Sequence, residues 1–136
     1  MNYRSLLNVV ESVVGSYGYH PTLPENLHTT LRHEGFPIAI ITPPRLISLE
    51  GEKEVNRVYA LDVKLLMKRG MSPAERSQLL AALASDAELI VKAIADHNLV
   101  RELELQELAP IEEMLTISGE VALQVRAKVR CFACEN

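Results

Sequence analysis

Two cysteines with two residues between them, Cys131 and Cys134, form the sharpest chemical spacing in this chain. A thiolate pair so placed can hold half of a tetrahedral zinc site or cycle as a redox couple. Zinc needs four ligands, and the sequence has no second cysteine pair. His28 and His33 have four residues between them but precede the cysteines by most of the chain, the reverse of the usual finger order. Their spacing also suits neither a shared helix face nor a shared strand face. A redox pair belongs at a helix start after a strand, whereas this one closes an alternating segment. In extended backbone the two thiols point to opposite faces with Cα atoms about 10 Å apart, too far for a disulfide. The pair reads as one core thiol and one edge thiol, both reduced.

No nucleophile, base and orienter can be assembled from the remaining residues. Ser72 is taken as a helix cap, His97 serves a helix end, and Glu112 and Glu113 are adjacent, so they diverge in extended backbone. His20, His28 and His33 read as surface or loop residues, and no glycine loop is built to cradle phosphate. The reading is therefore no catalytic residue, no metal and no cofactor, and a protein that is not an enzyme. A row of cations, Arg126, Lys128 and Arg130, has the look of a nucleic-acid stripe. It lacks interleaved aromatics, and pairing with Glu102 and Glu104 explains it better. What remains is a charged connection, Glu50, Gly51, Glu52, Lys53 and Glu54, which is either a solvated turn or a finger reaching an adjacent subunit. These five residues and the three cations are the interface candidates.

The elements that must position them follow from periodicity. Residues 2–17 place Tyr3, Leu6, Leu7, Val10, Val13, Val14 and Tyr17 at helical spacings, with Gly18 as the stop. Residues 19–35 are broken by Pro21 and Pro24, with Leu27 and Leu31 facing inward from a brief helix. Residues 36–42 are apolar on both faces, as in a central strand, and Pro43 with Pro44 should end it. A hairpin follows, its arms at 45–50 and 56–68. Its return arm alternates Tyr59, Leu61, Val63, Leu65 and Met67 with polar residues. Ser72, Pro73 and Glu75 supply a cap, a first-turn proline and a capping box for a helix to about residue 96, with a local break near Ser85 and Asp86. Residues 100–108 form a strand with Leu103 and Leu105 inward, and Ala109 with Pro110 begins a connection.

The longest alternation is the last. From 115 to 133 every second residue is apolar or small, including Leu115, Ile117, Gly119, Val121, Val125 and Val129. One strand of that length spans about 60 Å, against about 35–40 Å for a compact domain of this size. Parity is kept across Gly119, so the expectation is a smooth bend there or an end projecting beyond the body. A projecting strand offers backbone to a neighbour, which points to assembly.

With 136 residues, 48% hydrophobic and 24% charged, the chain should fold as one domain, residues 1–136. The expected class is α+β, a mainly antiparallel sheet with two amphipathic helices packed on one face. A formal charge of -4 gives no global pull toward nucleic acid. No apolar run approaches a membrane span, and Met1 to Ser5 lack a basic secretory start, so a cytoplasm is the expected site of synthesis.

This order of elements resembles the phage tail terminator family, small proteins similar to the minor tail protein U of lambdoid phages. The likeness is carried by the N-terminal helix and by the strand Phe36-Pro37-Ile38-Ala39-Ile40 preceded by Glu34. The strand from Tyr59 to Met67, the long helix from Ser72 and the closing segment with Ser118 complete it. The chain departs from that family in lacking a closing-segment tryptophan and in ending near Cys-Phe-Ala-Cys. The resemblance implies a virion protein, assembled in the host cytoplasm, that forms a homohexameric ring, caps the tail tube and halts its polymerisation. Its partners would be copies of itself, the tail tube protein and the head connector or neck protein, with DNA only in transit through the lumen and no membrane. A neck or head-completion protein is the nearest alternative. A small cytoplasmic ligand-binding or enzymatic α+β domain is the alternative from a different class.

Overall fold

Asn2 opens the first helix by accepting the Ser5 N–H on its side-chain oxygen at 3.0 Å, and the helix α1 runs over Tyr3–Ser16. This is a computed structural model of the chain, and it describes residues 2–53, 55–70 and 72–132. Glu54, Ala133 and Cys134 lie outside the described residues. After α1 come a short strand β1 (His20–Thr22), a 3-10 turn (Pro24–Asn26) and a helix α2 (Leu27–His33). The rest is β2 (Ile38–Glu50), β3 (Asn56–Lys68), α3 (Pro73–Ala95), β4 (Val100–Ile111) and β5 (Glu120–Cys131).

The five strands form one sheet in the order β1-β2-β3-β5-β4, antiparallel except for the β1–β2 pair. The fold is thus α+β, as the alternating strands and two strong helices imply. Helices α1 and α3 pack on one face, over Ala39, Ile41, Leu61, Val63, Leu65, Leu123, Val125 and Val129. The Tyr19 hydroxyl, on a residue buried where α1 ends, donates to Asp86 Oδ2 on α3 at 2.7 Å and locks the two helices together. Burial raises its phenol well above the usual tyrosine range, and the hydrogen bond to Asp86 and that carboxylate's charge add to the shift. Ser72 caps α3 by accepting the Glu75 N–H at 3.3 Å, with Pro73 in the first turn. The helix runs unbroken through Ser85 and Asp86.

Several further expectations are corrected. The final strand does not extend over 115–133. Gly119 takes a positive φ of 75°, its N–H donates to the Thr116 carbonyl at 3.2 Å, and 116–119 form a turn. The Glu120 carboxylate accepts the Leu115 and Thr116 N–H groups at 3.0 and 2.7 Å, satisfying backbone that a strand would have paired. The twelve residues left in β5 span about 40 Å, which the body accommodates. Nor does β5 project: it lies between β3 and β4 and is paired along both sides.

Pro43 and Pro44 do not end β2, which passes through them with a register shift between Thr42 and Arg45. Next to them β2 has a partner only on its β3 side, where a missing donor and a bulge are tolerated. β4 likewise continues past Ala109 and Pro110 to Ile111. Leu105 stands level with Ala127 on the helix side, as expected, but on this edge strand it is 44% exposed. Finally, helices do not cover one face alone. Leu27 and Leu31 of α2 pack on the second face with Ile38, Ile40, Leu66 and Ala122, which explains why 36–42 is apolar on both sides.

Candidate functional site

Beyond the α2 patch, the open face of the sheet is an ionic ladder built on β5. Arg130 donates from Nε to Glu50 Oε2 of β2 at 2.9 Å and from Nη1 to Glu102 Oε2 of β4 at 2.8 Å, so one guanidinium ties strands on both sides of it. The Glu50 hydrogen bond is the main reason its pKa lies above the ordinary arginine value. Four residues back along the strand, Arg126 sits between Asp62 of β3 at 3.3 Å and Glu107 of β4 at 3.6 Å. Asp62 also accepts from Lys64 at 3.3 Å and Gln124 at 2.6 Å. Lys128 stands opposite Glu104 in register. The three cations are therefore matched by acids across the strands, the arrangement that charge alternation on β4 and β5 predicts.

The charged connection is only partly a finger. Glu50 pairs with Asn56, and Arg57 is already level with Cys131 at the end of β5, so the tip passes β5 by a single paired position. Glu50 is held down by Arg130, while Gly51, Glu52 and Lys53 are exposed. Cys131 is the inward thiol, fully buried, and burial pushes its pKa up to about 11. A thiol so protonated is a poor nucleophile and a poor metal ligand. Among the described residues no three His, Cys, Asp or Glu side chains converge on a metal-sized site. His97 closes the end of α3, its Nδ1 accepting the Leu99 N–H at 3.1 Å. His20 lies 3.8 Å from Glu34, and His28 and His33 are exposed on α2.

Sequence reasoning missed the surfaces that now stand out. β1 covers only Ile38, Ala39 and Ile40 of β2, so the outer side of 41–50 has no strand partner among the described residues, and neither has the outer side of β4. Along the uncovered part of β2 and the facing tip, Leu46, Ile47, Leu49 (59% exposed) and Val55 are in solvent. At the opposite end of the sheet, Met114 and Ile117 on the β4–β5 connection are 68% and 91% exposed. The signal was present as adjacent large apolar residues in Leu46-Ile47, which alternation does not explain.

No helix among the described residues is long and apolar enough to cross a membrane. No protein-family model matches the chain, and no curated protein matches it in sequence.

Proposed function

We propose that this protein is a phage tail terminator, a subunit whose copies close into a six-fold ring on the last ring of tail-tube subunits and present the opposite side to the head connector. The observation that carries the assembly reading is the pair of uncovered strands on opposite sides of one sheet, β4 and the 41–50 stretch of β2. Two different surfaces on opposite sides suit a head-to-tail contact between identical copies, which closes into a ring when each step includes a rotation. The exposed Leu46, Ile47 and Leu49 give that contact an apolar centre. The projecting final strand that first suggested assembly plays no part in it. The resemblance described above supplies the tail and the partners. In this role the protein is structural and does no chemistry, and the self-matched ladder of Arg126 and Arg130 leaves no bare row of cations to hold DNA passing through the ring.

Light scattering coupled to size-exclusion chromatography, followed by negative-stain images with purified tail tube, tests the reading. Rings capping tube ends are the expected result. Ile47→Lys, on an exposed position, should keep the fold and abolish ring formation, and deletion of residues 51–53 should spare folding and weaken assembly. A strict monomer that binds neither tube nor connector overturns the proposal. Rings that bind the connector and ignore the tube would make it a head-completion protein instead.

A further inference from the structure

The end of the sheet away from the hairpin tip carries a cleft of about 980 Å³ between the start of α3, the end of β3 and the turn that precedes β5. Its walls include Phe36, Pro73 and the cations Lys68, Arg69 and Arg76. In a chain of net charge -4, three cations converging on one concavity run against the overall balance. Arg76 is matched by Glu112 at 3.1 Å, whereas Lys68 and Arg69 are exposed and have no ion pair among the described residues. The Arg69 guanidinium lies along the turn, where a Cβ on Gly119 would stand 3.6 Å from its Nη1. It thus lies beside the turn at the mouth of the cleft.

The geometry points to this cleft as a docking site for an acidic peptide segment of a partner protein, with a large apolar side chain next to its carboxylate. Lys68 and Arg69 supply the charge complement, and Phe36 and Pro73 supply apolar surface beside it. Met114 and Ile117, on the connection that contributes Gly119, are further apolar side chains in solvent at this end of the sheet. A nucleic acid fits less well. Glu75 borders the adjoining pocket and Glu112 and Glu113 follow on the connection, so a continuous run of phosphates would meet carboxylates on either side of the cations. The cleft lies at an end of the strands, not along an uncovered edge, so closing a ring leaves it free. Only the identity of the partner, a tube or connector subunit, rests on the tail-terminator reading.

The test is fluorescence anisotropy of the full chain with a short labelled peptide that alternates glutamate with leucine, with its glutamine analogue, and with a labelled DNA duplex. Binding of the acidic peptide that weakens with salt and is lost in the glutamine analogue is expected. The double variant Lys68→Glu, Arg69→Glu, both exposed, should fold as the parent does by circular dichroism and bind the peptide about tenfold more weakly or worse. Absence of peptide binding, unchanged binding by the double variant, or tighter binding of the duplex than of the peptide overturns the inference. Oligomeric state is measured on the same samples, so a chain that binds the peptide as a monomer separates failure of the ring reading from failure of this one.

Discussion

Val125 lies on the helix side of β5, level with Val63 and Leu108 and 4% exposed, while its neighbour Arg126 points to the other side, level with Asp62 and Glu107 and about half in solvent. One step along the same strand thus moves from a site held by exclusion of water to one held by opposite charges in water. The first kind of contact carries the stability of the domain, because apolar burial outweighs what exposed ion pairs contribute. The second kind fixes which residues face each other, and it consumes charges that would otherwise be available to bind something else.

The largest test of this contrast is Val125→Asp. A carboxylate placed under α3 without a partner should cost at least about 4 kcal/mol and remove the cooperative thermal transition. A variant that melts like the parent would show that the helix side is not the core.

Alkaline pH probes the same side more gently. Burial holds the Cys131 thiol at about 11 in the folded chain, above its ordinary value of 9.0, so the unfolded chain gives up that proton first. Its stabilising effect is full below about pH 9 and drains away as pH rises toward 11, by up to about 3 kcal/mol in all. Tyr19, also raised, acts in the same direction. The melting temperature should fall across that window, and Cys131→Ala, although less stable at neutral pH, should show a shallower fall.

The smallest effect belongs to the ladder. Arg126→Ala should cost less than about 1 kcal/mol in a denaturant titration, and less still in high salt. Asp62 keeps Lys64 and Gln124 as partners. A loss of several kcal/mol would mean that the ladder is a foundation of the fold.

How much of this was legible in the chain depended on the reach of each signal. The start of α3 is written in three neighbouring residues, Ser72, Pro73 and Glu75, and β3 in an alternation that begins and ends where the strand does. The pairing of Arg130 with Glu102 was legible because both alternate on adjacent strands. Leu115 and Ile117 continue the parity of β5 without belonging to it. Only the turn at Gly119, with its cap from Glu120, separates them, and Ser118-Gly119 is a turn signal that periodicity overrode. Pro43 and Pro44 misled for another reason: whether a proline breaks a strand depends on what lies beside it, and that is a property of the topology. The cleft at Lys68 and Arg69 joins residues from three distant parts of the chain, so no local pattern marks it.

Pro43 and Pro44 also bear on what the outer rim of β2 accepts. Two successive imides offer no N–H, and the register slips beside them, so a stray extended chain laid along this rim loses its ladder partway. Unguided stacking into fibres is discouraged at the place where bare backbone invites it. A second slip between Leu46 and Ser48 shortens the ladder past the two imides as well, so a neighbour seated there must lean on the Leu46 and Ile47 side chains more than on backbone bonds.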